Sequence, residues 1–152
     1  MKSGCNGYKN RMPITPDKTL ERAYKQALAS RHHSHSPYSN FAVGAALKVK
    51  GHDQPVGGCN IENASYGATI CAERVALHTA VAQHGTLALE FIVVVTAETD
   101  ATVPCALCLQ ALAEFCADDF TVYLANETAI LKQYRFSELL PHPFRAFQED
   151  AP

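Results

Sequence analysis

The sequence has no excess of positive charge: 13 Lys and Arg stand against 15 Asp and Glu, a net charge of −2. Phosphate backbones are held by clustered basic side chains, so a nucleic acid is not expected as partner. Long hydrophobic runs are missing too. No apolar stretch is longer than Phe91–Val95, whereas a membrane-spanning helix needs about 20 residues. Residues 1–16 are polar and broken by Gly and Pro, without the apolar segment of a secretory leader. A cytoplasmic location, away from membranes, is therefore expected. Repeats, linkers and low-complexity segments are absent as well. What is present is 152 residues, 47% hydrophobic and 18% charged, enough chain and enough apolar matter for one domain with a core.

Residues 1–14 read as a flexible N-terminal extension and 15–152 as a single domain. Thr15-Pro16-Asp17 predicts a helix start: a capping hydroxyl, proline at the first helical position, then an acid at the positive end. Leu20, Ala23, Tyr24, Ala27 and Leu28 follow at helical spacing, giving a helix over 16–31. Residues 42–50 and 55–61 predict a hairpin about the turn Gly51-His52-Asp53. A helix is expected over 70–84, and Phe91–Thr96 has the unbroken apolar pattern of a strand buried on both faces. Pro104 opens a helix to Cys116; strands at 120–124 and 129–136 and a turn at 137–140 follow. This order predicts an α/β fold, a mixed sheet with helices on both faces.

In a reducing compartment six cysteines are more often ligands, catalytic groups or core residues than disulfides. Two local patterns stand out: Cys71-Ala72-Glu73 and Pro104-Cys105-Ala106-Leu107-Cys108, each at an expected helix start. Cys105 and Cys108 share one face of a turn, and Cys71 can add a third thiolate, the ligand type zinc prefers. Helix N-termini ease the crowding of negative sulfurs, and Arg74 is placed to assist them from behind. A fourth protein ligand is poorly placed: His78 lies roughly 10 Å past Cys71 along its helix, and Cys116 about 12 Å past Cys108. Spacing does not exclude Cys59. A zinc with three protein ligands leaves a position for water and is catalytic, with Glu73 as the proton carrier beside it. Cys5, Cys59 and Cys116 read as tail or core, and His32, His33 and His35 as solvated loop residues.

A ligand-x-Glu followed by Pro-Cys-x-x-Cys is the pattern of zinc deaminases, here with Cys as first ligand. Further segments extend it: Ser36-Pro37-Tyr38-Ser39-Asn40-Phe41 with Val43-Gly44-Ala45-Ala46, Asn60-Ile61-Glu62-Asn63-Ala64-Ser65-Tyr66, Gln110, and Leu139-Leu140-Pro141-x-x-Phe144. Together they resemble the small, homotetrameric class of cytidine deaminases, from about residue 16 to 145. The resemblance implies a three-layer α/β/α sandwich with a mixed five-stranded sheet. It also implies one zinc per subunit on Cys71, Cys105 and Cys108, with Arg74 and Gln110 behind the ligands. Glu73 would shuttle protons in the hydrolytic deamination of cytidine and 2′-deoxycytidine. Phe41, Asn60 and Glu62 would hold the free nucleoside, with Ala72 and Val103 reading the base edge through their backbones. Tyr66 and Phe144 would reach the sites of neighbouring subunits. The chain departs from the family's usual Pro-Cys-Gly-x-Cys-Arg-Gln at Ala106 and Leu109. Two rival readings are a zinc deaminase for another aminopyrimidine, such as a modified nucleoside or nucleoside antibiotic, and a non-catalytic zinc-stabilised module.

Overall fold

The structure is a computed structural model that describes residues 13–145. Its first helix, α1, runs Lys18–Arg31, and its cap is Asp17 rather than Thr15. The Asp17 carboxylate accepts the backbone N–H groups of Thr19 (2.9 Å) and Leu20 (2.8 Å). An ionised oxygen is the better acceptor at a positive helix end, so the helix starts two residues later than the proline suggests. Ile14 already donates to the carbonyl of Ile130 (2.9 Å). The rest of the expected extension, residues 1–12 with Cys5, lies outside the described residues.

Five strands follow: β1 Gly44–Val49, β2 Val56–Cys59, β3 Leu89–Val95, β4 Thr121–Ala125 and β5 Ile130–Arg135. They form one sheet in the order β2-β1-β3-β4-β5. Only β3 and β4 pair in parallel; the other neighbours are antiparallel. Helix α2 spans Ala72–His84, α3 Ala106–Ala113, and a single turn α4 Phe136–Leu139. The hairpin, the buried strand and the helices stand where the sequence puts them, with shorter ends on β2 and α3.

The alternation of strand residues explains the layers. Ala46, Val93, Val95 and Ala125 point to Leu20, Ala23 and Ala27 of α1. Ala45, Leu47, Ile92, Val94, Val122 and Leu124 point the other way, to α2, α3 and Phe136. Side chains alternate along a strand, so the central strands are apolar on both faces because both faces are covered. The fold is thus an α/β/α sandwich on a mixed five-stranded sheet. Gly58 lets α2 lie directly on β2: a Cβ there would stand 2.4 Å from the Ala76 nitrogen and 2.6 Å from the Ala72 oxygen. Among the described residues no helix is long and apolar enough to cross a membrane.

Candidate active site and metal centre

The topology brings two helix N-termini together. Helix α3 is the crossover between parallel β3 and β4, so it starts at the C-terminal end of β3. Helix α2 leads into the beginning of β3 and runs against it, so α2 also starts at that end. Gly44 pairs with both Cys59 and Val95, which sets the entry to β1 and the exit from β2 at the same edge. The ligand-bearing helix starts and the loops after residues 34 and 60 therefore converge although they are far apart in the chain.

Cys71 is the N-cap of α2 and Cys105 that of α3, and neither side chain caps its helix by a hydrogen bond. Their sulfurs are 4.0 Å apart, and Cys105 and Cys108 are 3.5 Å apart. All three sulfurs lie within 4.8 Å of one another, and no fourth Cys, His or carboxylate joins them among the described residues. A tetrahedral zinc with Zn–S bonds of about 2.3 Å needs sulfurs about 3.8 Å apart, so the three thiols fit that ion. Cys59 is half-buried elsewhere and Cys116 sits in the core. His32, His33 and His35 are exposed.

Electrostatics agrees with the geometry. Cys71 is lowered to about 5, first by its hydrogen bond with Cys108, then, against burial, by the Arg74 guanidinium and the Cys105 thiol. Cys108 is pushed up by the same hydrogen bond, by burial and by the negative charge of Glu73. Crowded sulfurs cannot all ionise together, so one carries the charge while its neighbour keeps the proton. A divalent cation lifts that restriction. Burial works against the Arg74 charge, but the two sulfurs outweigh it and raise its pKa. Arg74 Nη2 donates to the Thr69 carbonyl (3.3 Å), while its buried Nε has no partner. Glu73, only 5% exposed in the first turn of α2, is pushed up chiefly by burial.

The remaining residues singled out in the sequence divide into two groups. Asn60 is 8% exposed and already engaged. Its Oδ1 accepts from Ser34 Oγ and from the Val43 N–H (2.8 Å), and its Nδ2 donates to the Phe41 carbonyl (2.8 Å). One of its N–H donors remains. Glu62 lies two residues on, fixed by backbone pairing on both sides: its N–H donates to His35, and Ile61 exchanges two hydrogen bonds with Ile70. Its Oε2 accepts the N–H groups of Tyr38 (2.9 Å) and Ser39 (3.2 Å), and its Oε1 accepts the Ser39 hydroxyl. Ser39 Oγ in turn accepts the Phe41 N–H (3.0 Å). The hydroxyl and the two amides hold Glu62 below the usual carboxylate range, the hydroxyl most of all.

The second group is exposed. Tyr66 stacks edge-on against Tyr38 at 5.8 Å and is 75% exposed; Val103 and Phe144 are 51% and 59% exposed. Gln110 is engaged with the C-terminal segment. It uses both ends of its amide on the backbone of Phe144, at 2.6 and 3.1 Å, and so fastens the C-terminal segment to α3. Sequence reading missed Ser34 and Ser39 as partners of Asn60 and Glu62. Their only signal was the density of Ser and Asn in 34–40, which announces a turn but no contact 20 residues away.

Residues 17–124 match the family model for the cytidine and deoxycytidylate deaminase zinc-binding region. The cytidine deaminase of Halalkalibacterium halodurans is 43% identical over 122 residues, covering 80% of this chain and 91% of that protein. That of Sporosarcina psychrophila is 39% identical over 127 residues, covering 82% and 90%. The crystal structure of cytidine deaminase from Burkholderia pseudomallei superposes with a TM-score of 0.75 at 37% identity, covering 83% of this chain and 99% of that one.

Proposed function

The chain belongs to the cytidine and deoxycytidylate deaminase zinc-binding family, and on that premise we propose that it hydrolyses cytidine and 2′-deoxycytidine to the corresponding uridines, releasing ammonia. It is a zinc-dependent hydrolase with one zinc per chain. The observation that carries this reading is the meeting of three thiols beside a buried carboxyl group at two helix N-termini. The rival readings are not favoured, since the relatives above are named cytidine deaminases.

Cys71, Cys105 and Cys108 hold the zinc, which when bound supplies a Lewis acid that makes water acidic near pH 7. Glu73 moves the protons. It takes one from the attacking water and delivers it to N3 of the pyrimidine, which opens C4 to the water oxygen. It then passes the second proton to the amino group; the C4–N bond breaks and ammonia leaves. A carboxyl group raised by burial suits this duty, because it must accept and release a proton near neutral pH.

Phe41 lines the nucleoside pocket. Glu62 accepts a sugar hydroxyl, and Asn60 offers its remaining N–H to the same sugar. The N–H of Ala72, in the first turn of α2, is one that no helical carbonyl takes; with the Val103 carbonyl it reads the base edge. The Glu62 charge repels a phosphate, so a free nucleoside is preferred to a nucleotide. The assembly is a homotetramer in which Tyr66 and Phe144 of neighbours complete each site. Supporting this, the exposed large apolar side chains among the described residues are Tyr38, Ile61, Tyr66, Val103, Leu107 and Phe144, all on segments that build or flank the site. Exposed apolar patches of this kind mark interaction surfaces. The reduced thiol set suits the cytoplasm.

The test is the ultraviolet change on mixing the purified, zinc-loaded protein with cytidine, run beside Glu73→Gln. The wild type is expected to convert cytidine. The variant should keep its zinc and lose at least about 10²-fold in turnover. Near-normal turnover in the variant removes Glu73 from its role.

A further inference from the structure

We infer that Ser39 is a positioning residue for nucleoside binding: its hydroxyl holds the Glu62 carboxylate in the one orientation that leaves a single acceptor site for a sugar hydroxyl. The inference rests on the proposed function and adds a residue to it.

A carboxylate offers about four lone-pair sites. On Glu62 the amides of Tyr38 and Ser39 fill both sites of Oε2, and the Ser39 hydroxyl fills one site of Oε1. The site left on Oε1 is therefore the only one a ligand hydroxyl can use. The two amides come from backbone and stay whatever residue 39 is, but they grip Oε2 alone. Without the hydroxyl the carboxylate can swing about that anchored oxygen, and Oε1 has two equivalent acceptor sites rather than one directed site. The same Ser39 oxygen accepts the Phe41 N–H (3.0 Å). One side chain thus sets the acidic group on the sugar side relative to the loop that carries Phe41. Asn40, between them, has φ 56°, a left-handed conformation that Asn adopts more readily than most residues. It turns the chain sharply enough for residues 39 and 41 to bond.

The experiment compares wild type, Ser39→Ala, Ser39→Thr, Glu62→Gln and the Ser39→Ala/Glu62→Gln double variant. Each is tested on cytidine and on 2′,3′-dideoxycytidine, which lacks both sugar hydroxyl groups of the ring. Zinc content and melting temperature are measured in parallel. Loss of one hydrogen bond to a charged group predicts a KM for cytidine raised about tenfold in Ser39→Ala, with kcat within about twofold. Ser39→Thr should restore most of the loss. In the Glu62→Gln background the alanine change should add little. On dideoxycytidine, wild type and Ser39→Ala should behave alike. If Ser39→Ala does not fold, Ser39→Cys, with a similar shape and a weaker donor, reads the same split. An unchanged KM for cytidine overturns the inference. An equal KM rise on dideoxycytidine also overturns it, since the residue then acts through Phe41 or the loop alone. A zinc-loaded wild type inert toward cytidine overturns the proposed function and this inference with it.

Discussion

At the scale of single residues, the site works because charge is balanced locally. Cys71 is lowered to about 5 partly by the Arg74 guanidinium, and the family's usual second arginine is Leu109 here, buried in the core. Arg74 is therefore the near cation for the sulfurs. Arg74→Ala is expected to raise the Cys71 pKa and to weaken zinc retention by about tenfold or more, read by competition with a chromophoric chelator. An unchanged affinity would mean the helix ends suffice. Glu62 gives a pH prediction. Its folded pKa lies below the ordinary carboxylate value, with the Ser39 hydroxyl as the largest cause. Donors to an ionised carboxylate favour that form, so the folded protein holds the Glu62 charge at pH values where the unfolded chain begins to protonate it. The contribution to stability is complete above the unfolded pKa and is lost as pH falls through the lower folded one. In Ser39→Ala the Glu62 midpoint, followed by carboxyl NMR, should move up toward the ordinary value; a midpoint that stays put would separate the two residues.

At the scale of elements, the decisive contact is α2 on β2. Gly58 is required there, because a side chain would meet the backbone of Ala72 and Ala76. Backbone cannot rotate away as a flexible side chain can, so Gly58→Ala must push α2 off the sheet. Overpacking of this kind costs about 1–3 kcal/mol, visible as a lower melting temperature. Because Cys71 stands at the N-cap position of that helix, the variant should also lose zinc to a chelator faster than wild type; a melting shift without faster loss would show that the helix start does not move. Helix α3 is held from the other side. Gln110 and Arg145 tie the C-terminal segment to it, Arg145 through the Ala113 and Cys116 carbonyls and Asp118. The element that presents Cys105 and Cys108 is thereby braced by residues more than 25 positions further along.

At the scale of the whole molecule, the exposed rings of Tyr66 and Phe144 bear on assembly. Light scattering of the purified protein is expected to give four times the chain mass of 16.5 kDa. A monomer at working concentration would leave the exposed rings of Tyr66 and Phe144 without the role proposed for them. The sandwich itself has its apolar residues on both faces of the three central strands, so sheet and helices stand or fall together, as burial on two sides demands.

The local chemistry was legible in the sequence. Zinc chemistry restricts residue type and spacing so tightly that Cys71-x-Glu73 and Cys105-x-x-Cys108 carried the metal centre. Period and length carried the strands and helices, down to the doubly buried run at 91–95. What was not legible depended on distance in the chain. Whether Asp17 or Thr15 caps α1 turns on which side chain better accepts the N–H groups two and three residues ahead of it. The partners of Gln110, Asn60 and Glu62 are 34, 26 and 23 residues away, and spacing says nothing about contacts of that range. Sequence alone determined which groups could do the chemistry, because identity and short-range spacing set ligand type and helix face. Only the tertiary structure decided which oxygens and sulfurs meet, because the parallel β3–β4 crossover and the hairpin register bring chain-distant ends to one edge of the sheet.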